Sequence, residues 1–366
     1  ETGCIGVAGC LGTPDEATLT ASATEALATG IPYPCELGDA VEREDLHEEE
    51  IIPVSRFIPT MQEFLDRIGE ACPRFAFSNK ISMKYRKTEY RNSKGRHLTS
   101  SGNSMEITLL IQNRGSGNMM DSVFAYEGDR FDADTLLSQL RSEYDAYYTP
   151  ADIENGVYPI VIDPSYLFGT VLQHFVAEMY VSGASLLSGK LGQKIFAENL
   201  SLSNDMNPAT NPGVCFFDGE GCIAPDFRPT LIDKGTLTAL ATTKKSAKQY
   251  GLPNLGTAAN IYDGVPNLSF NRFYVNATAP SLSSLVPGKS IYVVMASGGD
   301  TTPDGHFATP VQLAYLMEDG KLVGRLPELN ISGGFYDMLS KNYLGAAHNT
   351  PQQNNILCAV NMDVSK

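Results

Sequence analysis

The residues best suited to chemistry lie in one apolar stretch, Phe168-Gly169-Thr170-Val171-Leu172-Gln173-His174-Phe175-Val176-Ala177-Glu178-Met179-Tyr180. On a helix, His174 and Glu178 stand four apart and share a face with Leu167 and Val171. A buried imidazole beside a carboxylate is either half of a metal site or a polar pair that satisfies itself inside a core. A zinc hydrolase needs three protein ligands, an open position for water and a general base near that water. This stretch completes neither set, so a structural polar pair is the expectation.

Other catalytic patterns fail at required positions. Ala184-Ser185-Leu186-Leu187-Ser188-Gly189-Lys190-Leu191 approaches a phosphate-binding loop, but Ala184 replaces the first glycine and Leu191 the magnesium-holding hydroxyl. No G-x-S-x-G nucleophile elbow occurs, and five histidines offer few bases. With 27 Lys and Arg against 42 Asp and Glu, the net charge of −15 argues against nucleic-acid binding. The short basic run Lys84-Tyr85-Arg86-Lys87 is read as a solvated strand or turn face. The seven cysteines are odd in number, scattered and without a C-x-x-C pair, which suits a reducing compartment and a cytoplasmic location. No apolar run reaches the length of a membrane span and no signal peptide is visible. The chain opens with Glu1, so removal of an N-terminal piece is an open expectation.

The elements that must position these residues fall into uneven blocks. A helix is predicted over 13–30, followed by an acidic stretch from Glu36 to Glu50 read as a solvated linker. Thr60-Met61-Gln62-Glu63 reads as a capping box on a short helix with Phe64, Leu65 and Ile68 on its apolar face. Strands are predicted over 74–85, 98–112 and 122–126, with a turn at Asn92-Ser93-Lys94-Gly95. A helix over 132–148 ends before Pro150. Beyond it, Val157–Ile162 reads as a strand and Pro164-Ser165 begins a helix reaching Val181. Hairpins are predicted at 231–237 and 316–322, and a short helix near 334–341. The pattern is α+β: a first part over 1–50, a middle α+β part over 51–150, and a larger β-rich part over 151–366.

Several segments together resemble the TldD/PmbA family. Ser185 to Ile195 is similar to the run after the family's motif helix, and Phe217-Asp218-Gly219-Glu220-Gly221 to its F-D-D-E-G stretch. Leu231 to Gly251 looks like its hairpin and following helix. Ser297-Gly298-Gly299-Asp300, Asp319-Gly320-Lys321-Leu322, Ile331-Ser332-Gly333 and Asn355-Ile356-Leu357-Cys358 match later signals in order. Thr2 to Gly6 and Asn92 to Gly95 look like pieces of the first and middle domains, so the resemblance spans nearly the whole chain.

The resemblance implies H-E-x-x-x-H on the motif helix of TldD subunits, with a downstream cysteine as a further ligand. His174 falls on the first histidine, Phe175 on the glutamate base, Met179 on the second histidine and Cys358 on the cysteine. Phenylalanine accepts no proton, and a thioether is a poor zinc ligand. The resemblance therefore implies a TldE/PmbA-type subunit, inactive alone, in an assembly that trims unfolded peptides with the metal on a TldD-like partner. No catalytic residue, metal or cofactor is expected in this chain. The alternatives are a hydrolase with zinc at an atypical site of His174, Glu178 and Cys358, or a homodimeric peptide-binding protein. Expected partners are a TldD-like subunit or a second copy, and extended peptide; nucleic acid and membrane are not.

Overall fold

The computed structural model describes residues 3–13, 15–33, 36–211, 213–349 and 356–366. Asp15 caps α1 (Glu16–Ala26) by accepting from the Ala17 N–H at 3.3 Å, and Gly30 at φ +65° closes the 3-10 turn that follows. The acidic stretch is more than the linker expected of it. It contains β1 (Glu42–Leu46), which pairs in parallel with β3 (His97–Asn113) from Glu42↔His97 to Leu46↔Ser101. The strand's acidic side chains remain largely exposed, so its backbone can pair without desolvating their charges.

The next helix also starts earlier than the capping-box reading. α2 (Val54–Ala71) begins behind Pro53, and Thr60 to Glu63 lie within it. Its buried face is Met61, Phe64 and Ile68, at helical spacing. β2 (Phe75–Arg91) and β3 run antiparallel in one unbroken ladder, and β4 (Ser122–Gly128) pairs with β3 beside β1. α3 (Ala133–Tyr147), capped by Asp132, joins α2 on the sheet's apolar face. Phe64, Ile68, Leu136 and Leu140 meet Met105, Ile107, Leu109 and Ile111 there, and Leu313 and Tyr315 extend the same core into the next sheet.

β5 (Gly156–Ile162) opens the larger β-rich part. After it come α4 (Pro164–Gly169) and α5 (Ala177–Val181), then a small sheet ordered β11 (Phe273–Val275), β6 (Leu202–Asn204), β7 (Thr230–Asp233), β8 (Thr236–Leu237). α6 (Lys244–Tyr250) follows that hairpin, and β9 (Ala258–Ala259) pairs with β10 (Asn267–Leu268). α7 (Leu282–Leu285) leads into β12 (Lys289–Ala296), β13 (Asp300–Thr301), β14 (His306–Glu318), β15 (Lys321–Arg325) and β16 (Leu329–Gly334). α8 (Phe335–Leu339), β17 (Tyr343–His348) and β18 (Ile356–Ser365) complete the chain.

Five of these strands close on themselves: β5 pairs β12, β12 pairs β14, β14 pairs β16, β16 pairs β18, and β18 returns to β5. Closure leaves those five without a free edge over their paired lengths. Both predicted hairpins form where residues can take positive φ: Lys234-Gly235 at +46° and +79°, Asp319-Gly320 at +49° and +77°. Mixed helix and strand with a β-rich barrel bears out the α+β reading. Among the described residues no helix is long and apolar enough to cross a membrane.

Where α3 meets the barrel, Glu143 is half-buried, with its Oε2 fully enclosed. Burial pushes its carboxyl up to about 8, its Oε2 has no hydrogen-bond partner among the described residues, and its charge is felt by the phenols of Tyr292 on β12 and Tyr315 on β14. A carboxyl raised in the folded state stabilises fully below its unfolded value of 4.5, and that contribution is lost as pH rises through about 8. Glu143→Gln should therefore match the parent at low pH and exceed it near pH 9, by on the order of a few kcal/mol. Urea unfolding across that range checks this; parallel pH profiles for the two proteins would contradict it.

Candidate functional site

The stretch predicted as one helix from Pro164 to Val181 is three short pieces. Asp163 caps α4 by accepting from the Ser165 N–H at 2.7 Å, a 3-10 turn spans Leu172–Phe175, and α5 begins at Ala177. The break is at Val176, extended at φ −76° and ψ 131°. It forms a parallel bridge with Ala241, whose N–H donates to the Phe175 carbonyl at 2.9 Å and whose carbonyl accepts from the Ala177 N–H at 3.3 Å. Pairing with Ala241 replaces helical hydrogen bonding at this point. The expected shared face of His174 and Glu178 is therefore absent: His174 is buried in the 3-10 turn, while Glu178 is exposed on α5.

The imidazole sits in a closed setting. Its Nδ1 accepts from the Leu186 N–H at 3.3 Å, and its carbonyl accepts from the Ser185 hydroxyl at 2.6 Å. The ring meets Phe335 edge-on at 5.3 Å, and burial lowers its pKa. An accepting Nδ1 fixes the neutral tautomer with the proton on Nε2, and that buried nitrogen has no partner among the described residues.

The other family positions do not converge on it as metal ligands. Phe175 is fully buried and stacked on Phe196 at 6.0 Å within the main core. Met179 is half-buried on α5. Cys358 lies on β18, fully buried, with its sulfur 3.9 Å from the Tyr343 hydroxyl, and burial pushes its thiol up to about 12. Among the described residues, His174, Glu178 and Cys358 form no cluster of ligand atoms. Zinc does not fit this set: the one imidazole is bonded through Nδ1 and protonated at Nε2, the thiol is held neutral, and a core phenylalanine stands where the resemblance implies a base.

A second group, which sequence reading took only as a family marker, is brought together by the structure. Asp218, Glu220 and Cys222 place ligand-type atoms within 4.8 Å of one another. Asp218 Oδ1 accepts from the N–H groups of Glu220 at 2.9 Å and Cys222 at 2.8 Å, and Oδ2 from that of Ala258 at 3.1 Å. Glu220 accepts from the Tyr33 hydroxyl and from the Lys244 N–H at 2.9 Å, while Lys244 Nζ donates to the Glu220 carbonyl at 3.0 Å. Burial raises both carboxyls, opposed by these hydrogen bonds, and pushes the Cys222 thiol up to about 12. Gly221 at φ +71° lies against Tyr90, where a Cβ would come within 2.4 Å of the ring. Arg96 Nη1 donates to the Gly221 carbonyl at 2.7 Å. The group is a clasp joining the N-terminal arm, the β2–β3 hairpin and α6. The signal in the sequence was two carboxylates interleaved with glycines beside aromatic residues.

Restoring the implied base should damage the fold before it restores chemistry. Phe175→Glu places a carboxylate at a fully buried position and removes a stacked ring. The cost should be at least the ~3–5 kcal/mol of a large-to-small aromatic truncation. Urea unfolding of the variant measures it; a loss below about 1 kcal/mol would contradict the core assignment.

Comparison with known proteins follows the same outline. Residues 155–361 match the PmbA/TldA metallopeptidase C-terminal domain. The chain is 22% identical to a zinc metalloprotease TldD homolog of Saccharolobus solfataricus, over 70% of this chain and 61% of that protein. It is 26% identical to a metalloprotease of Methanothermobacter thermautotrophicus, over 50% of this chain and 42% of that one. It thus spans less than two thirds of either relative. The fold is similar to the crystal structure of TldE from Thermococcus kodakarensis, with a TM-score of 0.75 at 19% identity, covering 95% of this chain and 84% of that one. It is also similar to a protein of Thermotoga maritima described as a candidate modulator of a DNA gyrase, with a TM-score of 0.71 at 15% identity over 96% and 84% of the two chains. With more than half its length matched by the family's C-terminal domain, the chain belongs to the TldD/PmbA family of metallopeptidases.

Proposed function

We propose that this chain is a non-catalytic, TldE/PmbA-like subunit of a TldD-type metallopeptidase assembly that trims unfolded peptides. One observation carries the reading: Phe175, which the resemblance puts at the position of the general base, is packed inside the core. Metal-assisted hydrolysis needs a group that takes a proton from the attacking water, and a phenyl ring has none to offer. In this reading zinc and its base belong to a TldD-like subunit, and this chain contributes binding surface for extended peptide. Cys10, Cys72, Cys215, Cys222 and Cys358 are free thiols, which supports action in a reducing, cytoplasmic setting.

The test mixes the purified chain with a TldD-type chain carrying intact H-E-x-x-x-H. Light scattering after size separation should show a complex of the two, with more chelator-sensitive cleavage of an unstructured peptide than the partner gives alone. A chain that stays with its own copies and leaves the partner's activity unchanged would support the homodimeric peptide-binding alternative and end this reading.

A further inference from the structure

The antiparallel hairpin leaves one side of β2 open. β2 runs for 17 residues and, among the described residues, pairs with β3 alone; β1 and β4 both lie on the far side of β3. Its length is about three times that of an ordinary strand. About half of its N–H and C=O groups therefore point away from β3. Outer strands of the larger sheet are shorter and partly covered: the Arg325 N–H of β15 donates to the Thr149 carbonyl, and Ala346 of β17 accepts from the Thr278 N–H.

The charge on this strand opposes that of the chain. Lys80, Lys84, Arg86, Lys87 and Arg91 are all exposed, with Glu89 as the strand's one acid, in a protein of net charge −15. Lys84 is paired with Glu106 at 2.7 Å and Arg91 with Glu89. Lys80, Arg86 and Lys87 have no ion pair among the described residues. Alternation puts Lys80, Lys84 and Arg86 on one face of the sheet. Phe77, Ile81 and Met83 lie on the other, where they are partly buried against the core, and Tyr85 beyond them is 54% exposed.

We propose that the free edge of β2, over residues 78–87, is a docking site for an extended polypeptide segment that alternates acidic and apolar side chains. The open row of donors and acceptors is complemented by another polypeptide backbone, whereas a phosphate backbone only accepts. Acidic side chains at alternate positions of the added strand fall beside Lys80, Lys84 and Arg86, and the intervening apolar ones extend the face of Ile81, Met83 and Tyr85. A second copy of this strand is the wrong occupant. An antiparallel pair centred on Met83 sets Lys80 of one copy opposite Arg86 of the other, and like charges directly opposite repel. The edge stands whether or not the chain serves a peptidase, so this inference is independent of the subunit reading.

The test uses the whole chain and a fluorescent peptide of about ten residues alternating Glu and Val. Anisotropy should show saturable binding that weakens with salt. Hydrogen exchange should show protection gained within 78–87 on peptide addition. The Lys/Val counterpart should bind at least about tenfold more weakly. N-methylation of alternate peptide amides should abolish binding while leaving the charges intact. The variant K80E/R86E/K87E should reverse the preference toward the Lys/Val peptide. If that variant does not fold, the N-methylated peptide on the unaltered chain still decides. Equal binding of both charge types, retained binding after N-methylation, or protection outside β2 would overturn the proposal. So would protection of 78–87 that rises with the protein's own concentration, because a second copy would then fill the edge.

Discussion

Two backbone hydrogen bonds to Ala241 set the character of the segment that carries His174 and Glu178. They hold Val176 extended, end the 3-10 turn at Phe175 and restart the helix at Ala177. A continuous helix would bring residues four apart onto one face. The bridged segment instead separates a buried His174 from an exposed Glu178 and fixes Phe175 in the core beside Phe196. Backbone path as well as side-chain identity thus keeps His174 and Glu178 apart, so changing side chains alone does not bring them onto one face.

The clasp at 218–222 has a matching role in assembly. Its carboxylates spend their lone pairs on N–H groups from their own turn, from Ala258 and from Lys244, and on the Tyr33 hydroxyl. Those bonds compensate the cost of burying acids. They also account for the glycines between them: Gly219 lies against the backbone of Asn260, and Gly221 against Tyr90, with no room for a side chain at either. Leu98, Phe216 and Phe217 form a small apolar cluster at the same junction, and the Arg43 guanidinium lies over Phe216 and Phe227. Buried acids here hold separate parts of the chain together.

Much of this was legible in the sequence, for reasons that differ by element. The long strands around the 92–95 turn, α3 behind Asp132, and the hairpins at Lys234-Gly235 and Asp319-Gly320 follow from local patterning and turn chemistry. The broken helix was not legible, because Leu172 to Ala177 is apolar enough for a helix and the competing partner, Ala241, lies far along the chain. β1 was hidden by its charge, since an edge strand with exposed side chains has the composition of a linker. The start of α2 was missed because Pro53 and Pro59 suppressed the helical pattern ahead of Thr60. At the site, the reading of Phe175 and Met179 rested on side-chain chemistry alone, whereas the linkage of Asp218 and Glu220 to Tyr33 and Lys244 needed the fold.

The proposal that this chain carries no zinc-hydrolytic centre is tested most directly by following hydrolysis of an unstructured peptide by the purified chain alone, with added zinc and with a chelator. The expected result is no cleavage above background under either condition and no stoichiometric zinc retained after dialysis. Zinc-dependent cleavage that the chelator abolishes would contradict it, and would require a base and ligands that the bridged segment around Phe175 does not provide.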